Sequence, residues 1–165
     1  GYVGLPLALE IYLNNKNHKN QERTSRKVVG YDINEKRIFE LKNKFDRTNE
    51  IDKDVLEKCS DILFTSNKDC LENVDIFIVT TPTPIDEKKK PDLTLLKLAC
   101  KTIGYALKFR NRNKDKNTND LKIPIIIFES TVFPGATEET CVPIIEKESG
   151  LIFNSRDNLS TFFIA

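Results

Sequence analysis

The sequence predicts a doubly wound α/β fold, with a mostly parallel sheet covered by helices on both faces. Three observations carry the prediction. Strand-like and helix-period segments alternate along the chain, and the strand-like ones, Asp75 to Thr80 and Ile123 to Glu129 above all, are near-continuous in Ile, Val and Phe, as strands buried on both faces require. The chain also opens on Gly1-Tyr2-Val3-Gly4, the second half of a glycine-rich turn that runs into a helix and can bring backbone N–H groups against a phosphate.

In the dinucleotide-binding pattern G-x-G-x-x-G, Gly1 and Gly4 would be the second and third glycines. The strand and first glycine expected before them are not in this sequence, so the sheet should lack its first strand. Taken alone, G-x-x-G fits a glycine-containing helix start better, and the rest of the chain has to decide.

With 165 residues, 39% hydrophobic and 31% charged, the chain has the composition of one ordinary globular domain. Its 26 basic and 25 acidic residues leave a net charge of +1, so no whole-molecule field recruits nucleic acid or an anionic membrane. Apolar runs such as Ile123 to Phe128 are far shorter than a bilayer span, and the opening segment lacks a basic flank, which predicts a cytoplasmic protein. Cys59, Cys70, Cys100 and Cys141 have no C-x-x-C spacing, and the single histidine, His18, stands in a polar stretch. Buried free thiols are expected rather than disulfides or a metal site. The absence of methionine and the start inside a motif predict a piece of a longer chain, a partial domain over 1–165 truncated at both ends.

Taken in order, Val3, Leu5, Leu7, Ala8, Ile11 and Tyr12 recur at helical spacing to about Leu13, with Pro6 near the first turn, where a missing N–H costs least. Asn14 to Lys27 is polar and predicts a surface insertion. Lys27 to Asp32 is a short strand ending in an acid, followed by Asn34 as a helix cap and by Ile38, Leu41 and Phe45 as one helix face. An acid at that strand end accepts hydrogen bonds from adenosine ribose hydroxyls and repels a 2′-phosphate, which favours NAD over NADP. The alternative for Asp32 is to cap the following helix. A short helical segment is expected around Val55 and Leu56, then a strand at Ile62 to Thr65.

The buried strand from Asp75 stops at Thr80-Thr81-Pro82-Thr83-Pro84, a rigid loop at a strand's carboxyl end, where ligands sit in open α/β sheets. After the charged tip Asp86 to Lys90, Pro91-Asp92 opens a helix carrying Leu95, Leu96, Leu98, Ala99, Ile103, Ala106 and Leu107, and Arg110 to Asp120 reads as a second surface insertion. The strand from Ile123 ends at the hydroxyl-rich Ser130 to Gly135, and a helix from about Thr137 to Ser149 follows, interrupted by Pro143 and stopped by Gly150. Ile152, Phe153 and Phe162 to Ala165 suggest one last, truncated strand. Right-handed crossovers would set the loops after Gly1, Thr80 and Glu129 along one sheet edge, as a dinucleotide site needs.

These residues resemble the NAD-dependent UDP-glucose/GDP-mannose dehydrogenases, especially the branch that oxidises UDP-N-acetylhexosamines at C6, as in Vi-type polysaccharide synthesis. The resemblance lies in Gly1 to Ala8, Val29 to Asn34 with Arg37 and Ile38, Thr81 to Asp86, Pro91 to Leu93, and Glu129 to Pro143, and so covers nearly all but the two polar insertions. It implies a Rossmann-like domain, NAD as cofactor, a UDP-sugar substrate bound mainly by other domains, a homo-oligomeric parent, and neither nucleic acid nor membrane as partner. It further implies two NAD-dependent oxidations, from alcohol to carboxylate, through a thiohemiacetal and a thioester on a cysteine beyond Ala165. Gly1, Tyr2, Val3 and Gly4 would approach the pyrophosphate, Asp32 and Arg37 would hold the adenosine ribose, and Thr81, Pro82 and Thr83 would contact the cofactor. Ser130 and Thr131 would line the nicotinamide side, with Thr131 also helping to position the catalytic water. Without the resemblance, Arg37 reads as an exposed helix residue and Thr131 as a turn former. Another NAD-dependent alcohol or hydroxyacid dehydrogenase and a non-catalytic nucleotide-binding module stay open, and 1–165 alone should neither bind NAD well nor turn over.

Overall fold

The computed structural model describes residues 2–17, 27–85, 91–112, 123–155 and 161–165. It divides into two compact units, Gly1–Cys70 and Leu71–Ala165.

In the first unit, α1 (Gly4–Asn17) is followed by β1 (Val29–Tyr31), α2 (Glu35–Lys42), α3 (Lys53–Lys58) and β2 (Leu63–Thr65). Leu5, Leu9 and Tyr12 recur on one face of α1 and are buried with Ile38 and Leu41 of α2, Leu56, Cys59, Ile62 and Phe64. Each such side chain contributes about 1.5–3 kcal/mol relative to exposure. The Tyr12 hydroxyl leaves this core to donate to Asp61 Oδ2 at 2.6 Å. β1 and β2 run parallel with Gly30 opposite Phe64. A Cβ on Gly30 would lie 2.6 Å from the Phe64 ring, so the close contact depends on glycine.

Two expectations for this unit are corrected. α1 does not stop near Leu13 but continues to Asn17, because extending a formed helix costs little even without apolar contacts, and Asn14 Nδ2 donates back to Glu10 Oε1 at 2.9 Å. The rest of the first polar stretch, 18–26 with His18, lies outside the described residues. Phe45 does not share the buried face of α2: the helix ends at Lys42, Lys44 adopts a left-handed φ of 59°, and Phe45 is left exposed.

The second unit contains β3 (Ile76–Val79), α4 (Thr94–Arg112), β4 (Ile125–Phe128), a π-helical turn (Thr137–Cys141), α5 (Val142–Ser149), β5 (Ile152–Phe153) and β6 (Thr161–Ile164). The strands pair in parallel in the order β3-β4-β6-β5. Leu96, Cys100, Ile103, Ala106 and Leu107 form the buried face of α4. At Gly104 the helix approaches α5 so closely that a Cβ would lie 2.5 Å from Glu148 Cβ and 3.3 Å from the Ile145 carbonyl oxygen.

The all-parallel pairing matches the expected class, but the strands form two sheets, β1-β2 and β3-β4-β6-β5, rather than one. β3 is not buried on both faces throughout, since Ile76 at its start is 42% exposed while Phe77 and Val79 are buried. The C-terminal segment holds two parallel strands, β5 and β6, and Asn154 directly after β5 adopts a left-handed φ of 51°.

Pro143 does perturb its helix. Val142 N–H reaches back five residues to the Thr137 carbonyl, a widened turn that precedes the proline, and α5 then starts with Pro143 in its first turn. Gly150 ends it at φ 77°. The second polar stretch is not an insertion from Arg110, because α4 runs through Arg112 and Arg110 is buried. Its guanidinium donates to the Val74 carbonyl and to Asp75 Oδ1, the latter at 2.5 Å. Residues 113–122, and the charged tip 86–90, lie outside the described residues.

Candidate functional site

In the first unit the expected site residues begin at the N-terminus of α1. Leu7 N–H donates to the Val3 carbonyl at 3.2 Å, which makes Val3 the cap and leaves the N–H groups of Val3, Gly4 and Leu5 without intrahelical acceptors. Pro6 has no N–H to satisfy, and the first turn of the helix carries no acidic residue to offset its positive end. Tyr2 and Val3 are exposed and Gly4 is half-buried, so this end can meet an anion. Gly1 lies outside the described residues.

Asp32 follows β1. Its N–H donates to the Thr65 carbonyl at 3.2 Å, and its Oδ1 accepts from Asn34 N–H at 2.9 Å. The capping of α2 belongs to Asn34, whose Oδ1 accepts from Arg37 N–H at 3.1 Å. Asp32 therefore uses one oxygen to shape the turn, and its Oδ2 has no hydrogen-bond partner among the described residues.

Arg37 is not an exposed helix residue. It is 6% exposed, with Nη2 donating to Asp46 Oδ1 at 2.5 Å and Nη1 3.6 Å from Glu40 Oε2. Asp46 also accepts from the Thr48 N–H and hydroxyl and from the N–H groups of Glu50 and Ile51. Burial opposes ionisation of this carboxyl, but the hydrogen bond from Arg37, then those from Thr48, prevail and hold its pKa at about 2. Glu40 Oε2 takes Arg47 Nε at 2.6 Å, and this bond, helped by the charges of Glu40 and Asp32, raises the Arg47 pKa. Asp46 was missed because it stands in what reads as a linking region. Its signal was Asp46-Arg47-Thr48, an acid followed two residues later by a hydroxyl, the pattern of a side-chain-capped turn.

In the second unit the loops after β3 and β4 lie side by side at the carboxyl ends of adjacent parallel strands. Glu129 N–H donates to the Val79 carbonyl at 2.9 Å, carrying the pairing one step past β4. Ser130 Oγ donates to the Thr81 carbonyl at 2.8 Å and lies 3.3 Å from Thr81 Oγ1, while the Thr83 hydroxyl donates to the Thr131 carbonyl. Four of the expected residues thus lace the two loops together, and the hydroxyls of Thr81, Thr83 and Ser130 keep oxygen lone pairs as acceptors. Pro82 and Thr131 are exposed. Across the loop, Asp92 N–H donates to the Pro84 carbonyl at 2.7 Å.

None of the four cysteines forms a disulfide. Cys100 and Cys141 are buried side by side, and the hydrogen bond of Cys100 to Cys141, with burial, pushes the Cys100 thiol up. Among the described residues no three His, Cys, Asp or Glu side chains converge to hold a metal, and no helix is long and apolar enough to cross a membrane.

Residues 1–160 match the family model for the UDP-glucose/GDP-mannose dehydrogenase family, NAD binding domain. The chain belongs to this family. It is 49% identical over 154 residues to a UDP-N-acetyl-D-glucosamine 6-dehydrogenase of Pseudomonas aeruginosa, a match that covers 93% of this chain and 31% of that protein. It is 46% identical to Protein CapL of Staphylococcus aureus, over 92% of this chain and 30% of that one. Of solved structures, a UDP-glucose dehydrogenase from Pyrobaculum islandicum superposes with a TM-score of 0.74 at 19% identity, covering 99% of this chain and 33% of the other, which shows the shared Rossmann-type fold. The chain spans about a third of the length of the curated relatives it matches.

Proposed function

We propose that this chain is the NAD-binding part, a partial N-terminal domain, of a nucleotide-sugar 6-dehydrogenase. The parent would oxidise the C6 alcohol of a UDP-N-acetylhexosamine to a carboxylate in two hydride-transfer steps, for polysaccharide precursor synthesis. The observation that carries this reading is the 49% identity, over 93% of the chain, to a UDP-N-acetyl-D-glucosamine 6-dehydrogenase.

The residues fit a dinucleotide. The N–H groups at the start of α1, with no acid in its first turn, suit a pyrophosphate, to which Gly1, Tyr2, Val3 and Gly4 contribute backbone. The spare oxygen of Asp32 suits a ribose hydroxyl and repels the extra phosphate of NADP. The laced loops offer Thr81, Pro82, Thr83, Ser130 and Thr131 on an edge where ligands of parallel sheets bind, and the exposed Thr131 is the group assigned to the catalytic water. When bound, NAD would supply a hydride acceptor. Cys59, Cys100 and Cys141 are buried and Cys70 half-buried, and none of the four falls at the position of the family's catalytic cysteine, so the nucleophile is assigned to another part of the parent. A cytoplasmic, homo-oligomeric parent belongs to the same reading.

The test is the full-length protein supplied with NAD and either UDP-N-acetylglucosamine or UDP-N-acetylgalactosamine. NADH absorbance should rise with one of them, and no NADH from either would refute the assignment.

A further inference from the structure

We infer that Asp46 is a positioning residue for cofactor binding, acting through Arg37; this rests on the reading that the first unit holds the adenosine end of NAD. The Asp46 side chain has 0% exposure, and both its oxygens are held by the 46–51 turn: Oδ1 by Thr48 N–H at 3.2 Å, Oδ2 by Glu50 and Ile51 N–H at 3.1 Å each, and both by the Thr48 hydroxyl. A carboxylate held this way cannot rotate, so its 2.5 Å bond to Nη2 fixes the plane of the Arg37 guanidinium.

Nη1 of the fixed guanidinium is buried with no hydrogen-bond partner among the described residues, and Glu40 at 3.6 Å attracts its charge without reaching it. Buried donors are nearly always satisfied, and a buried ion pair adds little stability over an apolar pair of the same shape, so an unfilled donor held this firmly points to a ligand. Arg37 is also tied to the ribose-reading turn: its N–H is held by Asn34 Oδ1, and Asn34 N–H by Asp32 Oδ1. A hydroxyl of a nucleoside bound at Asp32 has the acceptor chemistry that Nη1 lacks. Asp46 holds Arg37 in place for that contact without touching the ligand itself.

The experiment is steady-state kinetics of the full-length dehydrogenase with Asp46→Asn, Arg37→Ala, the double variant and Thr48→Val. Asp46→Asn should raise the KM for NAD by about ten-fold, the loss of one charge-assisted contact, with kcat and the KM for the sugar nucleotide unchanged. It should add nothing further in the Arg37→Ala background. Thr48→Val removes the hydroxyl that holds both Asp46 oxygens but leaves the three N–H bonds of the turn, and should raise the same KM by less than Asp46→Asn does. If Asp46→Asn does not fold, Asp46→Glu displaces the carboxylate by one methylene and should raise the same KM. An unchanged KM for NAD in the Asn or Glu variant, or fully additive effects in the double variant, overturns the inference. Absence of NAD-dependent activity in the wild-type protein overturns instead the functional reading beneath it.

Discussion

The two units hold their polar residues by different means. The first concentrates charge: Arg37, Asp46, Glu40 and Arg47 form a chain of ion pairs, half of it buried, beside a turn shaped by Asp32. The second pairs buried Arg110 with Asp75 at the start of β3, but at the carboxyl ends of β3 and β4 it uses neutral hydroxyls, with Ser130 and Thr83 donating to backbone carbonyls across two loops that the β3-β4 ladder already holds together. Buried charge is sensitive to pH and costly to break, whereas hydroxyl-to-backbone bonds are individually weak and insensitive to pH. The first arrangement suits selection by charge, such as discrimination at a 2′-phosphate. The second suits fixed placement of a ring by directional bonds from uncharged groups.

The contrast can be broken at its strongest point. Asp46→Ala leaves Arg37 buried without its counter-charge and should cost about 3–5 kcal/mol in denaturant unfolding. The loss should appear in hydrogen exchange of α2 and residues 44–51 and should spare α4 and α5. The matching disruption of the second unit is steric. Gly104→Val puts a side chain into the contact with Glu148 and the Ile145 carbonyl and should destabilise that unit by about 2–3 kcal/mol at any pH.

Acid sharpens the difference further. The Asp46 pKa falls from an ordinary 3.8 to about 2 on folding, so its contribution is complete above pH 4 and lost as pH falls through 2. That amounts to roughly 2 kcal/mol, which should vanish from the acid limb of a stability-pH curve in Asp46→Asn. The smallest effect is expected at the loops: Ser130→Ala removes one hydroxyl-to-carbonyl bond and should cost about 1 kcal/mol, equally at pH 4 and pH 7.

Much of this was legible in the residues. Leu5 and Tyr12, the Asn34 cap, the Gly150 stop and the hydroxyl loops announce themselves through local rules of spacing and turn chemistry, whereas the buried Leu9 is absent from the expected stripe and Val3, which is in it, is exposed. What escaped depends on partners distant in sequence or on tertiary burial. Arg37 reads as a surface residue until Asp46 is seen to face it nine positions on, and Arg110 reads as the start of an insertion although its partners are Val74 and Asp75 at the start of β3. The continuation of α1 through Asn14 and Asn15 escaped for the opposite reason: helix propagation there owes nothing to an apolar face. The family resemblance supplied roles for Asp32 and Arg37, but not the carboxylate that holds Arg37 in place.

The central claim, that the charged unit selects the cofactor and the hydroxyl unit only places it, is tested most directly by the ratio of kcat/KM for NAD and NADP in full-length Asp32→Asn and Ser130→Ala variants. Asp32→Asn should lose most of the preference for NAD, because the carboxylate that repels a 2′-phosphate is gone, while Ser130→Ala should keep the wild-type ratio at a lower rate. A preference for NAD that survives Asp32→Asn, or one that collapses in Ser130→Ala, would contradict it.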